Sequence, residues 1–113
     1  MITYNTDFTN IETLTANGAT LVGDGNDNTF TVTDLNEGNL DSVVTFTGIH
    51  NLSGAAGDDQ FIYSTTLSDL TGQIDGGTQN TVAGDRFDIT AQGATSVTYG
   101  TDFTNIEISS FEQ

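Results

Sequence analysis

The sequence predicts an all-β chain, a parallel β-helix or β-roll-like solenoid of about six short coils. Three observations predict it: short runs that alternate polar and apolar residues, Gly-Asp-Asn clusters between them, and an internal duplication. Residues 2–12 read ITYNTDFTNIE and residues 97–107 read VTYGTDFTNIE, nine of eleven positions identical at an offset of 95. A duplication of this kind is the mark of a repeat architecture. Residues 1–113 are read as one solenoid module, with 2–12 repeated at 97–107.

Strands are expected where period-two alternation puts one face in a core and the other in water. Thr29-Phe30-Thr31-Val32-Thr33, Val44-Thr45-Phe46-Thr47 and Arg86-Phe87-Asp88-Ile89-Thr90 all alternate in this way. Turns are expected at Gly23-Asp24-Gly25-Asn26-Asp27-Asn28, at Gly54-Ala55-Ala56-Gly57-Asp58-Asp59 and at Asp75-Gly76-Gly77. Gly and Asn tolerate positive φ there, and Asp caps its own turn. The chain has no proline, which suits a backbone whose N–H groups all enter ladders.

Phe8, Phe30, Phe46, Phe61, Phe87 and Phe103 recur at spacings of 22, 16, 15, 26 and 16. A solenoid tolerates unequal spacing, because each coil keeps one inward anchor while its corners vary in length. The expectation is one Phe per coil, stacked in a single ladder along the core. A β-sandwich with Phe on two inner faces is the competing arrangement.

Composition limits the function. Sixteen acidic residues face one basic residue, Arg86, for a net charge of −15. Nucleic-acid binding needs clustered Lys and Arg, and anionic membranes are disfavoured for the same reason. There is no run of about 18 apolar residues to span a bilayer. With no cysteine there is neither a disulfide nor a thiolate metal site. So acidic a chain repels itself unless cations lie near its carboxylates. No Ser, Cys or His motif marks a catalytic nucleophile, and His50 is the only histidine. The chain is therefore read as no enzyme. The Thr runs could form an ice-binding array, but their spacing is too irregular.

Gly54-Ala55-Ala56-Gly57-Asp58-Asp59-Gln60-Phe61-Ile62 resembles the nonapeptide G-G-x-G-x-D-x-U-x of repeats-in-toxin proteins, departing at Ala55. Gly23-Asp24-Gly25-Asn26-Asp27 resembles its first part, with Phe30 one position late. Phe8…Ile11-Glu12…Leu14, then Gly57-Asp58-Asp59…Phe61, then Ile74-Asp75-Gly76-Gly77, is similar to modules of repetitive, hemagglutinin-like bacterial surface proteins. The resemblance implies calcium held by oxygen ligands in the turns. Asp27 and Asp59 are its first candidates, followed by Asp24, Asn26 and Asp58, and then Asp75 and Asp85. It also implies a secreted, structural module of an adhesin or extracellular filament at the cell surface or in the matrix. Its partners would be tandem neighbours or further copies stacked end to end. The alternative is a calcium- or carbohydrate-binding accessory module of an exported enzyme, with Tyr4, Tyr63 and Tyr99 as a platform for a glycan.

Overall fold

The chain is described from a computed structural model, at residues 1–79, 84–92, 102–106 and 108–110. Ten strands follow in order: β1 (Ile2–Thr3), β2 (Thr13–Val22), β3 (Thr29–Asp34), β4 (Glu37–Leu40), β5 (Val44–Ser53), β6 (Gln60–Tyr63), β7 (Ile74–Asp75), β8 (Arg86–Asp88), β9 (Phe103–Thr104) and β10 (Ile108–Ser110). They form one mixed, open sheet, and the only helical turn among the described residues is a 3-10 turn at Thr90–Gln92. The fold is all-β. The alternating runs from Thr29, Val44 and Arg86 each open a strand, and the Gly-Asp clusters lie between strands.

Two parallel ladders organise the sheet. In the first, β1, β2, β5, β7 and β9 pair in succession, aligning Ile2, Leu21, Leu52, Ile74 and Phe103. In the second, β3, β6, β8 and β10 align Phe30, Phe61, Phe87 and Ser109. The chain passes from first to second ladder at the acidic turns. Leu21 to Leu52 and Phe30 to Phe61 are both steps of 31 residues. The turn at 23–28 therefore lies level for level beside the turn at 54–59.

The β3–β4–β5 segment breaks the parallel pattern. β4 pairs antiparallel with both β3 and β5. The reversals fall at Asn36 (φ 59°) and at Asp41 and Ser42 (φ 52° and 59°), and asparagine and aspartate accept the left-handed region. Gly38 lets β4 approach β3 closely, since a Cβ there would meet the Thr31 carbonyl at 2.0 Å.

The single Phe ladder expected from the spacing divides accordingly. Phe30, Phe61 and Phe87 share a ladder, and Phe30 stacks on Phe61 with centroids 5.0 Å apart and planes 7° apart. Phe103 belongs to the other ladder and meets Phe87 obliquely at 5.3 Å. Phe46 belongs to β5 of the first ladder, level with Leu14, and faces Gly38 across the antiparallel β4, and Phe8 is only half-buried. The 16-residue step from Phe30 to Phe46 thus spans two chain reversals through β4, not a coil. Spacing alone cannot separate the two, because both return an apolar side chain to the same core. Leu21, Phe30, Phe46, Leu52, Phe61 and Ile74 are among the fully buried residues of that core.

Candidate functional site

The two stacked turns and the strand starts that follow them hold most of the candidate ligands. Three Asx residues form a buried column at the head of the second ladder: Asn28, Asp59 and Asp85, between 0 and 2% exposed. Each is tied to the next. The Asn28 backbone N–H donates to Asp59 Oδ1 at 2.7 Å, and the Asp59 N–H donates to Asp85 Oδ1 at 2.7 Å. The carboxylates thus accept backbone donors that a regular ladder would leave unpaired at the corner.

A glycine stands beside each Asx. A Cβ on Gly23 would lie 2.2 Å from Asn28 Oδ1, and one on Gly54 would lie 2.3 Å from Asp59 Oδ2. A Cβ on Gly76 would lie 2.8 Å from Asp85 Oδ2. Only glycine fits beneath these oxygens, which explains the Gly of each cluster. Asp59 Oδ2 is buried and takes no hydrogen bond. Burial first, then the like charges of Asp85 and Asp27, raise the Asp59 carboxyl to about 7, against the hydrogen bond from Asn28.

The exposed rim of the turns is arranged differently. The Asp58 N–H donates to Asp27 Oδ1 at 2.8 Å, which brings these two residues of adjacent levels together. Asp24 accepts from the Asn26 N–H, from Asn28 Nδ2 and from Asn5 Nδ2, at 2.7 to 3.1 Å. Burial raises its pKa, but these bonds outweigh it and hold the carboxyl below the usual carboxylate range. Asp75 lies apart, accepting from the Gly77 N–H and from Asn105 Nδ2. Among the described residues no three His, Cys, Asp or Glu side chains converge as a metal cage.

Calcium needs six to eight oxygens at 2.3–2.6 Å. The column offers no such cradle between levels, because Asp59 Oδ2 faces the Gly54 Cα and Asp59 Oδ1 is taken by an N–H. The rim at Asp27 and Asp58 fits better, since there two acidic residues of adjacent levels reach solvent side by side.

Two members of the site carry weak signals in the sequence. The 31-residue register places Asn28, not Asp27, level with Asp59, and Asp27 level with Asp58. The late Phe30 was the signal: aligning the clusters on Phe shifts the first by one residue. Asp41 is the second, brought back by the β3–β4–β5 reversal. It accepts from the Thr29 N–H at 2.7 Å and from Asn28 Nδ2 at 2.8 Å. Asp41→Ala should lower the unfolding free energy by about 1–2 kcal/mol, because it strands two partly buried donors. Urea titration reads this directly, and an unchanged midpoint would mean that water replaces the carboxylate.

The tyrosine platform is corrected. Tyr63 is buried, its ring edge-on to Phe87 at 5.1 Å, because residue 63 falls on the inward side of β6. Tyr4 is half-buried against Phe8, and Tyr99 lies outside the described residues. Compared with known proteins, the chain matches no family model, no curated protein and no solved structure.

Proposed function

We propose that the chain is a structural β-solenoid module of a secreted bacterial surface protein or filament, able to stack end to end. One observation carries this reading: two parallel ladders advance together through successive passes of the chain, with corners stacked level on level. A sheet built this way extends by adding passes rather than by enclosing a pocket. Stacking joins the first level of one copy to the last level of the next, a head-to-tail contact that grows a filament. The proposal includes a non-enzymatic role. Imaging and light scattering of concentrated protein test the proposal: axial multimers support it, and a strict monomer at every concentration removes it.

Calcium belongs to the same proposal, as the ion that screens the acidic rim at Asp27 and Asp58. A net charge of −15 on 113 residues supports this, since such repulsion weakens any compact state. An ion that binds the folded form alone stabilises it by about 2.7 kcal/mol at a hundred times its Kd. Chelation should therefore lower the melting temperature by several degrees, and calcium should restore it where equal ionic strength of sodium does not. A melting curve indifferent to chelator would make the rim a plain solvated turn.

A further inference from the structure

Residues 7–11 and 102–106, matching parts of the duplicated segment, lie at opposite ends of the first ladder. The C-terminal copy places β9 on β7, with Phe103 level with Ile74. Its seat is well defined. The Ile74 N–H donates to the Asp102 carbonyl and the Gly76 N–H to the Thr104 carbonyl, both at 3.0 Å. Asn105 Nδ2 donates to Asp75 Oδ1 at 2.6 Å. The Asn105 carbonyl presses on Gly76, where a Cβ would sit 2.0 Å away.

The N-terminal copy forms the other end. There Phe8 pairs in parallel with Tyr4, one step outside β1, and its carbonyl accepts from the Asn5 N–H at 2.9 Å. Residues 7–11 are identical to residues 102–106, Asp-Phe-Thr-Asn-Ile. Asn10 and Asn105 share the left-handed backbone, with φ of 55° and 54°. Each residue that seats on β7 in one copy therefore has its twin, in matching conformation at the asparagine, at the far end of the molecule. Neighbouring carbonyls of an extended segment point to opposite edges. The Phe8 carbonyl is taken by Asn5 of its own copy, and the match to residues 102–106 assigns the Asp7 and Thr9 carbonyls to the outer edge. Their twins, Asp102 and Thr104, are the ones that accept from β7.

We propose that residues 7–11 of one copy dock on β7 of a second copy, in place of that copy's own residues 102–106. The contact rests on the end-to-end reading above and assigns it a surface and an occupant. Because the incoming segment makes the same bonds as the one it displaces, the exchange is nearly balanced. The chain's own segment keeps the advantage of being tethered, which makes the contact dependent on concentration.

Sedimentation velocity on the full-length protein tests it with two single substitutions. Asn105→Ala weakens the resident segment and should raise the multimer association constant roughly two- to tenfold, the range for one hydrogen bond. Asn10→Ala weakens the incoming segment and should lower the constant by a similar factor, while the double variant returns towards the parent. Opposite signs from twin residues have no explanation in general destabilisation. Changes of one sign, or none, overturn the contact. Should Asn105→Ala fail to fold, the protein's lack of cysteine allows a second test. A Thr9→Cys chain mixed with an Asp75→Cys chain should form a disulfide-linked pair faster than Thr9→Cys mixed with Thr66→Cys, and equal rates overturn the contact. Multimers indifferent to all these changes would leave end-to-end assembly to another surface and remove this contact alone. Monomers at every concentration would remove both.

Discussion

Replacing Phe61 with alanine should lower the unfolding free energy by about 3–5 kcal/mol, the range for a fully buried aromatic ring cut back to a methyl group. Phe61 has no exposed surface and is the middle of the Phe30–Phe61–Phe87 rungs. Its ring stacks on Phe30 at 5.0 Å. The core cannot readily close over the space left behind. Strand spacing is set by backbone hydrogen bonds at about 4.8 Å, and β6 is held on one side by β3 and on the other by β8. The residual cavity therefore adds to the lost transfer energy. Leu67→Ala is the matched control: Leu67 is 66% exposed, so its change should stay within about 0.5 kcal/mol. Urea unfolding of both variants measures the difference. A loss below about 1 kcal/mol for Phe61→Ala would mean that the rungs are not packed.

Asp59 should make the protein less stable as pH rises from acidic to neutral. The native carboxyl titrates at about 7, against 3.8 in the unfolded chain. Between these values the native state holds a proton that the unfolded chain has released. Unfolding free energy therefore falls with rising pH across that window and levels off above it. The displacement is worth up to about 4 kcal/mol, less whatever the column relaxes. Self-repulsion of the acidic surface acts in the same direction. Asp24 and Asp88 set the acid limb. Their carboxyls are held below the usual range, so their contribution is lost only as pH falls through those lowered values. Stability should thus peak in mildly acidic solution.

Asp59→Asn isolates the effect. The amide keeps an oxygen for the Asn28 N–H and removes a like charge from beside Asp85. Asn28 shows that an amide fits this column one level away. The variant should melt above the parent at pH 8 and close to it near pH 4.5. Thermal melts at the two pH values decide: curves offset equally at both would show that Asp59 is not protonated in the native state. The same pair of proteins locates calcium. An ion at the rim should raise both at pH 8, whereas an ion at Asp59 should raise only the parent.

The residues made parts of this readable. Alternation at Thr29–Thr33, Val44–Thr47 and Arg86–Thr90 marked strands, since a one-residue periodicity error would bury threonine and expose phenylalanine. Gly-Asp-Asn clusters marked corners, because few other residues accept the backbone they impose. Other parts were not readable. Alternation around Tyr63 gives two faces without saying which one a core covers, so it does not place that ring inside. The motif counts from the glycines and pairs Asp27 with Asp59, whereas the ladder counts from the buried rings and pairs Asn28 with Asp59.

By itself the sequence determined that the chain is all-β, where it turns, and which side chains are large and apolar enough to form a core. Those properties are local: they follow from the dihedral preferences and side-chain period of a few consecutive residues. Only the tertiary structure decided which strands lie side by side, that an antiparallel β4 lies between the strands of Phe30 and Phe46, and that Asn28, Asp41, Asp59 and Asp85 share one corner. Pairing depends on contacts made 12 to 31 residues apart. Several partners of similar composition compete for each strand edge, and the best joint packing of rings, glycines and buried oxygens selects among them.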